Sequence, residues 1–169
     1  MLNQVEIRMT TALFLGRFQP FHLGHLEDVK RASKENHKVI IVIGSSQHTN
    51  TTDNPFSADE REEMIQRVLK ASNISNYIII QIEDILNDDE YVDYVESSVP
   101  LYDNVYTHNE LTKKLFEEKN KIVWVDLINS ISATKIRDRV LNNENWKELV
   151  PKQVSDFLEE INGIKRIKN

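Results

Sequence analysis

Ten residues, "GRFQPFHLGH" from Gly16 to His25, hold an arginine, a proline, two histidines and two of the chain's four glycines. These residue types suit a phosphate. A guanidinium matches phosphate oxygens in pairs, and a helix N-terminus presents unpaired amides and the positive end of a dipole to an anion. Gly16 follows the apolar run "TALFL", where it can turn the chain tightly and admit a phosphate to the backbone, and Pro20 fixes the chain before a helix. His22 and His25, three apart, share a helix face, so both imidazoles would point toward an anion held by the amides near Phe21 to Leu23. Gly24 between them weakens a helix by roughly 1 kcal/mol relative to alanine, which is tolerable where a ligand lies close to the backbone. On these residues alone a capping role or an incidental metal site stays open for the histidines. No third ligand stands nearby and there is no cysteine, which favours phosphate contact over structural zinc.

A second stretch, "ISATKIR" from Ile131 to Arg137, places the hydroxyls of Ser132 and Thr134 at a helix start with an arginine one turn on. Hydroxyls that cap a helix also bind phosphate; a plain cap with a solvated arginine is the alternative.

Alternating strands and helices must position these groups. Strands are expected at Thr11–Gly16, Lys38–Gly44, Tyr77–Ile82, Asp103–Thr107 and in "KIVWVD". Helices are expected at about His22–Glu35, after the Ser57 N-cap with Glu60 three residues on, at Glu90–Ser98, Asn109–Lys119, Ser132–Leu141 and Pro151–Ile161, where Gly163 stops the last. This order predicts an α/β protein with a parallel sheet, helices on both faces and ligands at the carboxyl ends of the strands. The loop "SSQHTNTTDN" reads as polar and mobile, and Trp124 and Trp146 as packing residues.

At 169 residues the chain suits one domain, residues 11–169, behind a short extension, residues 1–10. The net charge of −6 is spread along the chain, so no broad footprint for nucleic acid or anionic lipid is present and phosphate must be met locally. The absence of cysteine excludes disulfides and a thiol nucleophile and sits with a cytoplasmic location. "KVIIVIG" and "YIIIQI" are too short to span a bilayer, and "MLNQVEIRMT" lacks the apolar core of a signal peptide.

Together the two stretches resemble the signatures of the HxGH nucleotidylyltransferase superfamily, in the form of the archaeal-type nicotinamide mononucleotide (NMN) adenylyltransferases. "GRFQPFHLGH" is similar to GRFQPxHxGH and "ISATKIR" to ISxTxxR. The resemblance extends through "IGSSQ", "NPFSADER", "VYTHN" and "WKELVPKQV", and covers Thr11 to Lys168. It implies a Rossmann-like doubly wound sheet with a helical C-terminal part, and attack of the NMN 5′-phosphate on the α-phosphorus of ATP to give NAD⁺ and pyrophosphate, without a covalent enzyme intermediate. By resemblance, His22 and His25 stabilise the α-phosphate, and Arg137 with Ser132 and Thr134 holds the β- and γ-phosphates. Gly16, Arg17, Phe18 and Gly24 belong to the ATP and phosphate site; Asp84, Tyr91, Thr107 and Asn109 lie at the NMN pocket. Mg²⁺ would be held mainly by the triphosphate, with no ligand from the protein, and homo-oligomers, often hexamers, are implied. Departures fall at Tyr91, where the family usually has tryptophan, and at His108, where it commonly has glycine. They keep a different phosphate acceptor open, such as flavin mononucleotide (FMN) or phosphopantetheine, and beside it a nucleotide-binding regulator without turnover.

Overall fold

The computed structural model describes residues 9–126 and 130–169, with the backbone but not the side chain of Asp88. Five strands form one sheet: β1 (Thr11–Gly16), β2 (Lys38–Ile43), β3 (Tyr77–Gln81), β4 (Asn104–Thr107) and β5 (Lys121–Trp124). The order is β3-β2-β1-β4-β5 and every pair is parallel. The helices are α1 (Leu23–Glu35), α2 (Ala58–Ala71), α3 (Asp88–Ser98), α4 (Glu110–Phe116), α5 (Ala133–Leu141), α6 (Lys152–Glu160) and α7 (Gly163–Lys168), with a 3₁₀ turn at Lys147–Leu149. None of the described helices is long and apolar enough to cross a membrane.

Alternation along the strands sorts side chains to the two sheet faces. Ala12, Phe14, Val39, Ile41 and Ile43 pack with α1, α2 and the C-terminal helices, through Val29, Met64, Ile136, Val154 and Ile167. Leu13, Ile40, Val42 and Val105 face the other way, onto Val92 and Val95 of α3 and Phe116 of α4. β2 is fully covered on both sides from Val39 to Ile43, which is why its sequence is a continuous β-branched run. The chain first winds outward from β1 to β3, then crosses back to place β4 on the other side of β1. That reversal opens a crevice at the carboxyl ends of β1 and β4, where doubly wound sheets bind ligands.

The structure departs from the sequence reading at several points. α1 begins at Leu23, so His22 is its N-cap, in extended conformation, and is not helical. Gly163 does not end the chain's last helix: Asn162 takes the left-handed conformation (φ 53°) and Gly163 opens α7. A Cβ at Gly163 would stand 2.9 Å from Phe56 Cε1 and 3.0 Å from Leu158 Cδ2, so close approach of three segments selects the glycine. α7 is then fastened to α2, because Arg166 forms a two-pronged pair with Glu60 at 2.9 and 2.7 Å. Glu60 is the capping-box partner of Ser57, as expected. Trp146 is buried, whereas Trp124 is 38% exposed with Lys113 5.4 Å above its ring centre. The extension expected at residues 1–10 lies mostly outside the described residues; Thr10 already accepts hydrogen bonds from the His37 and Lys38 amides.

Candidate active site

Sequence dictates an unusual start to α1. His22 at the N-cap accepts on Nδ1 from the His25 amide, and His25 at the N3 position accepts on Nδ1 from the His22 amide, each at 3.3 Å. This is a capping box in which both side chains are imidazoles. The rings stack, centres 3.5 Å apart and 17° between planes. Gly24 permits this: a Cβ there would stand 3.1 Å from Cε1 and Nδ1 of His22. The glycine therefore serves the ring stack, and of the amides near Phe21 to Leu23 that the sequence assigned to an anion, that of His22 is taken by imidazole.

Two consequences follow for charge. Each Nδ1 accepts a hydrogen bond, so in the neutral ring the proton sits on Nε2. Burial holds His22 down at a pKa of about 3, with repulsion from His108 adding to it. Burial also holds His25 well below its ordinary value, followed by repulsion from His22 and His108. Phe14, Phe18 and Phe21 surround the His25 ring, with centres 6.2, 4.8 and 5.4 Å away. The pair thus presents two neutral Nε2–H donors to the crevice.

This makes folding sensitive to acid. Both folded pKa values are depressed, so between them and about 6.5 the unfolded chain binds protons that the folded chain does not. The stability contribution is complete above pH 6.5 and is lost as pH falls toward about 3 for His22, at about 1.4 kcal/mol per pH unit for each histidine. Urea unfolding at pH 7.5 and 5.5 checks this: His22→Asn, which keeps an N-cap, reduces the pH slope, and an unchanged slope removes His22 from the account.

The crevice is a cleft of about 440 Å³ lined by Gly16, Arg17, Phe18, His22, His25, Asp84, Tyr91, Thr107, Asn109, Ser132, Thr134 and Arg137. All the residues singled out in the sequence except Gly24 meet there. Gly16 has no positive φ; a Cβ on it would stand 2.7 Å from the Phe18 ring, and Phe18 itself takes the left-handed turn at φ 53°. The tight turn is made by Phe18, and Gly16 makes room for its ring. The hydroxyl of Thr107 accepts from the Asn109 amide at 3.0 Å, and Asn109 Oδ1 caps α4 through the Thr112 amide at 3.0 Å. Ser132 caps α5, accepting from Lys135 at 3.1 Å. On the far side Asp84 Oδ1 accepts from the Ser45 amide at 3.1 Å. Tyr91 is held edge-on against Phe116, its phenol pKa raised by burial and then by Asp84. The loop read as mobile is tied at several points, including His48 to Asp84 at 3.8 Å and Asp53 to Arg137 at 3.4 Å.

Two positioning residues escaped the sequence reading. Arg61 is fully buried and donates to four carbonyls: Ser57 at 3.1, Arg17 at 2.9, Gly44 at 2.7 and Ser45 at 3.1 Å. Burial first, then repulsion from Arg17, lowers its pKa to about 10. Gln19 exchanges two hydrogen bonds with the Phe56 backbone, at 2.8 and 3.0 Å, and its carbonyl accepts from Arg137 at 3.0 Å. Arg61 was legible in one respect: it falls three, four and seven residues before Met64, Ile65 and Val68, inside the apolar stripe of α2, where a charge needs partners. Nothing in the sequence marked Gln19 as a bridge between segments.

The model of the cytidylyltransferase-like family matches residues 13–139. A nicotinamide-nucleotide adenylyltransferase of Thermoplasma volcanium is 45% identical over 160 residues, 93% of this chain and 90% of that protein. One of Methanococcus vannielii is 47% identical over 160 residues, 93% and 92% of the two chains. Among solved structures, a bifunctional NMN adenylyltransferase/ADP ribose pyrophosphatase from Francisella tularensis superposes with a TM-score of 0.79 at 25% identity over 95% of this chain. This chain spans 52% of that protein, about half its length; the same enzyme complexed with AMP and a Mn ion gives a TM-score of 0.74. With a capped histidine pair, an arginine one turn into α5 and this sequence kinship over nearly its whole length, the chain belongs to the cytidylyltransferase-like family and, within it, to the nicotinamide-nucleotide adenylyltransferases.

Proposed function

We propose that the chain transfers the adenylyl group of ATP to the 5′-phosphate of NMN, giving NAD⁺ and pyrophosphate. An acceptor phosphate oxygen attacks the α-phosphorus in line, the bond to the β-phosphate oxygen breaks, and pyrophosphate leaves with that electron pair. Nothing covalent forms on the enzyme, so positioning and charge stabilisation supply the rate. The observation that carries this reading is the pair of Nε2–H donors of His22 and His25 in the same cleft as Arg137. The two imidazoles donate to α-phosphate oxygens as charge gathers there. Arg137, with the Thr134 hydroxyl and the helix start at Ser132, takes the β- and γ-phosphates, and Arg17 meets a further phosphate. Asp84 and Tyr91 receive the nicotinamide half, Tyr91 by stacking on the flat ring; Thr107 and Asn109 shape that pocket through the β4–α4 turn.

Mg²⁺ would be held mainly by the triphosphate, where it would supply charge neutralisation. Among the described residues no three His, Asp or Glu side chains gather to form a separate metal site. Residues 11–169 act as one catalytic unit.

Purified protein with ATP, Mg²⁺ and one acceptor at a time, NMN, nicotinic acid mononucleotide, FMN or phosphopantetheine, tests the function by pyrophosphate release and product identification. NAD⁺ formed fastest from NMN supports it. Turnover only with another acceptor moves the function, and ATP binding without turnover replaces it by regulation. Arg137→Ala is expected to raise the KM for ATP about tenfold or more, the size of one lost charge-assisted phosphate contact; an unchanged KM counts against its assigned role.

A further inference from the structure

His108 follows β4 and closes the cleft on the side of α1. Its Nδ1 is sealed from solvent without a hydrogen-bond partner and lies 3.5 Å from Oδ2 of Asp28, at ion-pair distance. Asp28 stands one turn after His25 on α1, and its side chain is 8% exposed. A carboxylate buried so deeply needs a cationic or proton-bearing neighbour, and His108 is the one the structure offers among the described residues. The His108 and His25 rings lie 30° from parallel with centres 6.4 Å apart. An imidazole N–H reaches about 2.8 Å to an oxygen, so the two rings can address one phosphoryl group.

We propose that His108, oriented by Asp28, is a third imidazole of the site and donates from Nε2 to a non-bridging oxygen of the donor nucleotide's α-phosphate. This rests on the function proposed above. The chemistry differs from that of the other two rings. In His22 and His25 each Nδ1 faces an amide donor, which leaves a neutral ring with its proton on Nε2. In His108 Nδ1 faces the Asp28 carboxylate, which accepts where the amides of the capped pair donate. Asp28 is its positioning residue, as the carboxylate behind a histidine fixes which nitrogen faces the reaction.

His108→Asn is expected to lower kcat by roughly 10²-fold, the size of one lost oxyanion donor, with the KM for NMN nearly unchanged. The relative turnover of the two diastereomers of α-thio-ATP shifts by about tenfold in the same variant, since one non-bridging oxygen has lost its donor. Asp28→Asn lowers kcat in the same direction and lowers Tm as well, because removing one partner of a buried pair leaves the other unmatched, so rates are compared below the unfolding transition. An unmoved kcat and diastereomer preference in His108→Asn overturns the inference, and so does a lower Tm with intact kcat in Asp28→Asn, which marks a structural pair. Imidazole NMR of the wild-type protein with α,β-methylene ATP separates the inference from the function it rests on. If no dinucleotide forms from any acceptor, the proposed function fails by itself, and a His108 resonance that does not move on adding the analogue still overturns the third-imidazole role.

Discussion

Replacing His25 by alanine lowers kcat by about 10²- to 10³-fold, the loss measured when a single preorganised oxyanion donor is removed, and leaves both KM values within a few-fold. The split between the constants follows from the neutral ring. An uncharged Nε2–H attracts ground-state ATP weakly compared with the arginines, and gains most as negative charge concentrates at the α-phosphorus. The same substitution breaks the reciprocal cap with His22 and opens a hole among Phe14, Phe18 and Phe21, lowering stability by about 2–3 kcal/mol on the scale of core truncations. Rates are therefore compared at a temperature where urea unfolding shows both proteins folded. An undiminished kcat in the folded variant takes His25 out of the mechanism.

Arg61→Met is expected to produce the largest loss of stability. Methionine fills part of the volume, but the carbonyls of Arg17, Gly44, Ser45 and Ser57 lose their common donor. A buried polar group left without a partner costs about 1–3 kcal/mol, so even with two of the four rescued by water the loss is about 3–5 kcal/mol. For a chain of this length that lowers Tm by roughly 10 °C. Activity falls as well, since Arg17, Gly44 and Ser45 all line the cleft. Arg61→Lys recovers only part of both, because an ammonium has three donors and no planar fork to span the loops. A Tm within a degree or two of the parent would show that the carbonyls do not depend on Arg61.

Much of this arrangement was readable beforehand, and the limits have physical causes. β-branched runs and capping residues mark the strands and helix starts, since both signals are local. Ser57 and Glu60 illustrate this: the box predicted from their spacing forms as expected. The roles of glycines were harder, because a glycine may be selected by a turn or by a neighbour's bulk. At Gly16, Gly24 and Gly163 the decisive neighbours are Phe18, His22 and Phe56, and sequence gives no distance to them. Helical spacing likewise put His22 and His25 on one face of α1, whereas the structure makes one the cap of the other. Arg61 and Asp28 share a legible trait, a charge at a core-facing position of a helix, but apart from Ser57, one turn before Arg61, their partners come from segments far away in the chain.

The reciprocal cap ties catalytic geometry to local opening. The imidazoles of His22 and His25 shield each other's amide protons, so those hydrogens exchange with solvent only when the first turn of α1 frays. A frayed turn is also a dismantled donor pair. The exchange rates of two backbone hydrogens therefore measure the fraction of molecules whose site is disassembled at any moment, and a nucleotide that engages both rings slows them together.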